Sequence, residues 1–128
     1  IYNNYIYIMK LYLKNDICKF KPLFKIDYNN KKNIFSACFF KLDGKSYKDF
    51  NIYLNGIQLF SKYVKKNRPD YSIRLFIDNS IYNDKKIINI LKKLNNIELV
   101  LYECSDYKVN KNKHIGLFGT LIRFFSII

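Results

Sequence analysis

Apolar residues follow two patterns along this chain, short continuous runs and three-to-four-residue steps, and from Asn33 onward the two alternate. The first run is Ile34-Phe35-Ser36-Ala37-Cys38-Phe39-Phe40, closed by Leu42-Asp43-Gly44. Near-continuous apolarity with aromatic enrichment predicts a strand covered on both faces, as in a parallel sheet. Ser46-x-x-Asp49 then resembles a capping box with Asp in place of the usual Glu. Beyond it Phe50, Leu54, Ile57, Phe60 (or Ser61) and Val64 recur at helical steps, predicting a helix over Tyr47 to Lys66 that Pro69 ends. Ser72-Ile73-Arg74-Leu75-Phe76-Ile77-Asp78 is the second strand. Asn79 to Asp84 connects it to a second amphipathic helix carrying Ile87, Ile88, Leu91 and Leu94, with Ser80, Asn83 or Asp84 as its cap. Asn95-Asn96 stops that helix, Ile97 to Tyr102 is the third strand, and Glu103-Cys104-Ser105-Asp106 leaves it. Tyr107 to Lys113 reads as a lysine-rich loop, and a third helix is expected to begin near Gly116 or Gly119.

Strands alternating with helices of this length predict an α/β fold, a parallel βαβαβ sheet with right-handed crossovers and flanking helices. Residues 1–33 lack either pattern. Pro22 interrupts a lysine-aromatic mixture, and Tyr28 to Asn33 is a polar turn. An irregular or short-stranded arm, partly disordered, is expected there. The start at Ile1 instead of a methionine, with Met9 as a candidate initiator, and the stop four residues past Phe124 give the expectation of a fragment truncated at its C-terminus.

The length of 128 residues suits one domain with a core. A formal charge of +13 is the footprint expected of a nucleic-acid binder. Its make-up changes that picture. Only Arg68, Arg74 and Arg123 among the 23 basic residues are arginine, and lysine abounds together with Asn, Ile, Tyr and Phe. A/T-rich codons produce this composition whatever the function, so nucleic acid is kept as a partner class without being favoured. Cys18, Cys38 and Cys104 form no CxxC and no metal-ligand spacing, and their odd count predicts buried thiols in a reducing, cytoplasmic compartment. No apolar run approaches the about 18 residues of a membrane span.

In an open α/β sheet ligands gather beyond the carboxyl ends of the strands. Three places qualify: Lys41 to Ser46, Asp78-Asn79-Ser80, and Glu103 to Asp106. Each has an ordinary explanation as a turn or cap. The loop carrying His114, Gly116 and Gly119 is expected over the same edge. Glycines at Gly116 and Gly119 permit close approach to a ligand, helix amides at Gly119-Thr120 favour an anion, and Arg123 one turn on suits a diphosphate. The spacing is neither G-x-G-x-x-G nor a Walker loop.

The run Ile34 to Phe40, Arg74-Leu-Phe-Ile-Asp-Asn-Ser-Ile81, Leu99-Val-Leu-Tyr-Glu-Cys104 and His114-Ile-Gly-x-Phe-Gly-Thr-Leu-Ile-Arg-Phe124 together resemble a group of giant-virus proteins. These in turn look like GT-A-fold glycosyltransferases of the family 8 type. The resemblance spans about residues 34–125 and implies the N-terminal half of a nucleotide-sugar-binding domain. It implies that Ala37, Cys38 and Phe39 line the nucleotide site, that Asp78 borders it, and that Arg123 contacts the donor, a UDP-sugar. Mn²⁺ or Mg²⁺ is implied for the intact domain through an Asp-x-Asp motif, which this chain lacks; Asp43-Gly44-Lys45 is no substitute. Self-association through a truncated sheet edge is a further expectation. Two alternatives remain. Leu75-Phe-Ile-Asp78-Asn-Ser-Ile81 resembles the opening of NYN/PIN-type metal-dependent ribonucleases, with Glu103 and Asp106 as further ligands, and a noncatalytic remnant of an α/β domain is the third reading.

Overall fold

A computed structural model describes residues 18–24, 33–41, 47–104, 108–109 and 113–114. The order is β1 (Cys18–Phe24), β2 (Asn33–Phe39), α1 (Tyr47–Asn67), β3 (Tyr71–Ile77), α2 (Asn79–Tyr82), α3 (Lys85–Lys92), β4 (Ile97–Cys104), β5 (Lys108–Val109) and β6 (Lys113–His114). The main sheet runs β1-β4-β3-β2, while β5 and β6 form a separate antiparallel ladder inside the segment expected as a loop.

β2, β3 and β4 are parallel and lie side by side in chain order, with Phe39 opposite Ile77 and Leu75 opposite Leu99. Strand alternation sends Ile73, Leu75, Ile77, Ile97 and Leu99 to one face. There they form a core with Leu54 and Val64 of α1, Ile81 of α2, and Ile87, Ile88 and Leu91 of α3. Both helical connections therefore cover the same face, as successive right-handed crossovers in one direction require. On the opposite face Phe76, Val100, Tyr102, Cys104 and Cys18 make a second buried cluster, with Phe20 and Cys38 packed against it.

Two expectations are corrected. The sheet is mixed, not wholly parallel, because part of the N-terminal arm joins it as β1, antiparallel to β4. Cys18, Phe20 and Pro22 alternate with Lys19 and Lys21, the period of a strand. Pro22 and the register shift between Pro22 and Phe24 are tolerable because β1 lies at the edge of the described sheet. The second correction concerns the cysteines. Cys18 and Cys104 are register partners at a Cα separation of 4.1 Å and are disulfide-bonded across 86 residues of sequence. Cys38 keeps its thiol. The bond replaces the free thiols expected at Cys18 and Cys104, because pairing of β1 with β4 brings together two cysteines that the sequence keeps far apart.

Smaller adjustments follow from the helices. Ser61, not Phe60, faces inward from α1: Ser61 is buried and Phe60 is exposed. The Ser61 hydroxyl donates to Asn96 Oδ1 at 2.5 Å and Asn96 Nδ2 donates to the Ser61 carbonyl at 3.0 Å, a buried clasp between α1 and the entry to β4. The segment Asn79 to Asp84 holds the short helix α2 before Asp84 caps α3. Among the described residues no helix is long and apolar enough to cross a membrane.

Candidate functional site at the carboxyl edge of the sheet

Because β2, β3 and β4 are parallel, Lys41, Asp78 and Glu103 come to one edge of the sheet, where α2 begins. Asp78 is buried, and its Oδ1 accepts from the Ser80 amide at 3.0 Å, the Ser80 hydroxyl at 2.5 Å and the Ile81 amide at 3.3 Å. These bonds satisfy donors that a helix start leaves without intrahelical partners. Ser80 Oγ in turn accepts from the Lys41 amide at 3.0 Å, so a hydrogen-bonded relay ties the end of β2 to the end of β3. The Lys41 ammonium lies 3.0 Å from Asp84 Oδ2 and 5.2 Å from the Phe50 ring centroid. Asn79 Nδ2 donates to Glu103 Oε1, joining the ends of β3 and β4.

Two titrating groups here depart from their ordinary values. Burial pushes the Asp84 carboxyl up, but hydrogen bonds from Lys41 and the Ile87 and Lys86 amides, together with the Lys41 charge, outweigh it and hold the group below the usual carboxylate range. Burial pushes the Tyr102 phenol far up, and the charges of Asp78 and Cys38 add to that. Tyr102 is fully buried and neutral throughout the physiological range.

The residues implied as donor-binding separate by face. Cys38 and Asp78 share the electrostatic surroundings of Tyr102. Ala37 and Phe39 point the other way into the helix-covered core, where Phe39 stacks on Phe50 at 4.8 Å. Gly116, Gly119, Thr120 and Arg123 lie outside the described residues, as do Asp43, Gly44, Ser46 and Asp106. Asp84, not singled out beyond its capping role, proves to be the partner of Lys41. Nothing in the local pattern marks that pairing, since it spans 43 positions.

Among the described residues no group of three or more His, Cys, Asp or Glu could hold a metal ion. Asp78 Oδ1 accepts from the donors at the start of α2, and the two oxygens of Asp84 go to the α3 cap and to Lys41. The described residues therefore do not fit a Mn²⁺ or Mg²⁺ centre. The edge does carry Asp78, Asp84 and Glu103 beside Lys41, a local excess of carboxylate within a strongly basic chain. Compared with family models, curated proteins and solved structures, the chain matches none.

Proposed function

We propose that this chain is the nucleotide-facing half of a GT-A-like glycosyltransferase domain, which binds a nucleotide-sugar at the carboxyl edge of β2, β3 and β4. The observation that carries the reading is the order of the three parallel strands. They lie consecutively with both crossovers on one face, the arrangement of a mononucleotide-binding βαβαβ half. The Ser80 relay gives that edge a fixed shape by joining β2 to β3, and Lys41 supplies a cation there. In this reading Arg123, which lies outside the described residues, holds the diphosphate. The chain contributes donor binding and no complete catalytic centre, because an Asp-x-Asp pair is missing from it.

The test is calorimetric titration with UDP and UDP-sugars, with and without Mn²⁺, on the wild type and on Arg123→Ala. Saturable binding that weakens roughly tenfold or more in the variant is expected for a lost charge-assisted phosphate contact. A chain folded by circular dichroism that binds neither UDP nor a UDP-sugar overturns the proposal.

A further inference from the structure

The two crossover helices bring their last turns to one place. Each ends shortly before the next strand begins, so both close on the amino edge of β3 and β4, opposite the edge that holds Asp78 and Glu103. Lys62, Lys65 and Lys66 of α1, Arg68 beyond it, Lys92 of α3 and Lys93 after it are all exposed there. Lys65 Nζ donates to Asn95 Oδ1 at 3.2 Å, which ties the end of α1 to the turn before β4 and joins the two groups of cations into one surface. The Lys92 ammonium, 4.6 Å from the Phe24 ring centroid, carries that surface on to the end of β1. Asp70 is the one exposed carboxylate at this edge among the described residues, and Arg68 lies 3.6 Å from it.

Placement is the telling feature. Codon bias sets how many lysines a chain carries, but not the edge on which its carboxylates fall. Asp78, Asp84 and Glu103 gather at the opposite edge. A helix dipole favours cations in the last turn, which accounts for Lys65, Lys66 and Lys92. It does not account for Lys62, which precedes that turn and stands four positions before Lys66, a like-charge spacing that destabilises a helix. Repulsion with so little carboxylate beside it is relieved by a polyanion. Tyr63, 60% exposed, follows Lys62 and is a surface neighbour of Lys66 three positions on, so an aromatic ring stands among the cations.

We propose that this basic edge binds single-stranded nucleic acid, with its cations along the phosphodiester backbone and the Tyr63 ring against a base. Exposed amides at Asn67 and Asn95 lie among the cations and supply hydrogen bonds to phosphate or base edges. An anionic bilayer would instead take up apolar side chains set among the cations, and the exposed Ile52, Tyr53 and Leu59 stand earlier on α1. The surface lies on the opposite edge from the proposed nucleotide-sugar site and does not depend on it.

Fluorescence anisotropy with labelled oligouridylate and oligodeoxythymidylate across a series of salt concentrations tests it. The wild type is expected to bind, with log K falling linearly against log salt. Binding of either oligomer supports the proposal, and the tighter of the two identifies RNA or DNA. Lys62→Gln/Lys66→Gln/Lys93→Gln is expected to bind roughly tenfold or more weakly at low salt, with a slope shallower by about 2, the share of three phosphate contacts on a single strand. Lys19→Gln/Lys85→Gln/Lys86→Gln removes the same charge from exposed positions away from this edge and is expected to stay within about twofold of the wild type. Tyr63→Ala is expected to weaken binding roughly tenfold with the slope unchanged, and wild-type binding by that variant overturns the stacking role. Equal losses in the two triple variants would reduce the effect to net charge and overturn the proposal. So would a wild type that binds neither oligomer at low salt, or one that binds phosphatidylserine vesicles and neither oligomer.

Discussion

Asp84 serves two elements with one carboxylate. Oδ1 caps α3 by accepting from the Ile87 amide at 3.3 Å, and Oδ2 pairs with Lys41 at the end of β2. Replacement by alanine removes both, and replacement by asparagine keeps the cap while losing the ion pair. Asp84→Ala is expected to cost about 1–2 kcal/mol, and Asp84→Asn under about 1 kcal/mol, since the pair is partly exposed and screened. The pH dependence separates the two roles. A carboxyl whose folded value lies below its ordinary 3.8 contributes stability that is full above 3.8 and is lost as pH falls through the folded value. Urea melts of the wild type and Asp84→Asn should therefore differ at neutral pH and converge in strong acid. A constant difference across that window would mean that the carboxylate charge is not what the pair contributes.

Among the elements, β3 and β4 are joined by more than their ladder. Arg74 and Glu98 are register partners, with Arg74 Nε 2.6 Å from Glu98 Oε2 and Glu98 buried on the sheet face away from the helices. Removing the guanidinium strands a buried carboxylate, so Arg74→Met is expected to destabilise by about 3 kcal/mol. The double variant Arg74→Met/Glu98→Leu is expected to recover most of that loss in denaturant titrations. No recovery would show that other contacts of Arg74 carry its value. These elements were largely legible in the sequence. The runs beginning at Ile34, Ser72 and Ile97 are strands, and the steps through Phe50 and Ile87 are helices, because burial against one shared core imposes its period on each. What stayed illegible was non-local. The spacing at α1 fitted Phe60 or Ser61, and only Asn96, 35 residues away, decides for Ser61. Cys18-Lys-Phe-Lys-Pro is too short and too charged to stand out as a strand until β4 offers it an edge. The candidate site was half legible. Strand ends located Lys41, Asp78 and Glu103, but face alternation separates Ala37 and Phe39 from Cys38, a distinction that a list of neighbouring residues hides.

For the molecule as a whole, the Cys18–Cys104 bond is the longest-range tether among the described residues, closing a separation of 86 residues. Chain entropy assigns a loop of that size about 4–5 kcal/mol of stabilisation, a large share of what a domain of this length possesses. Urea melts of oxidised wild type against Cys18→Ser/Cys104→Ser should show a deficit of that order with β1 most affected. The oxidised chain should label at Cys38 alone, and labelling of three thiols in the native state would contradict the pairing. Both cysteines are buried, so reduction is expected to follow opening of the chain, not to precede it.

The position of β1 also sets an order of events during synthesis. Within the described sheet the first strand in chain order pairs with the last, so β1 lacks its ladder partner until Ile97 to Cys104 has been made. Meanwhile β2, α1 and β3 can already meet through short loops. β1 therefore waits for β4 while the residues between them are made, and its lysines, its proline and its bulge are the features that keep a waiting strand from pairing with a neighbouring chain.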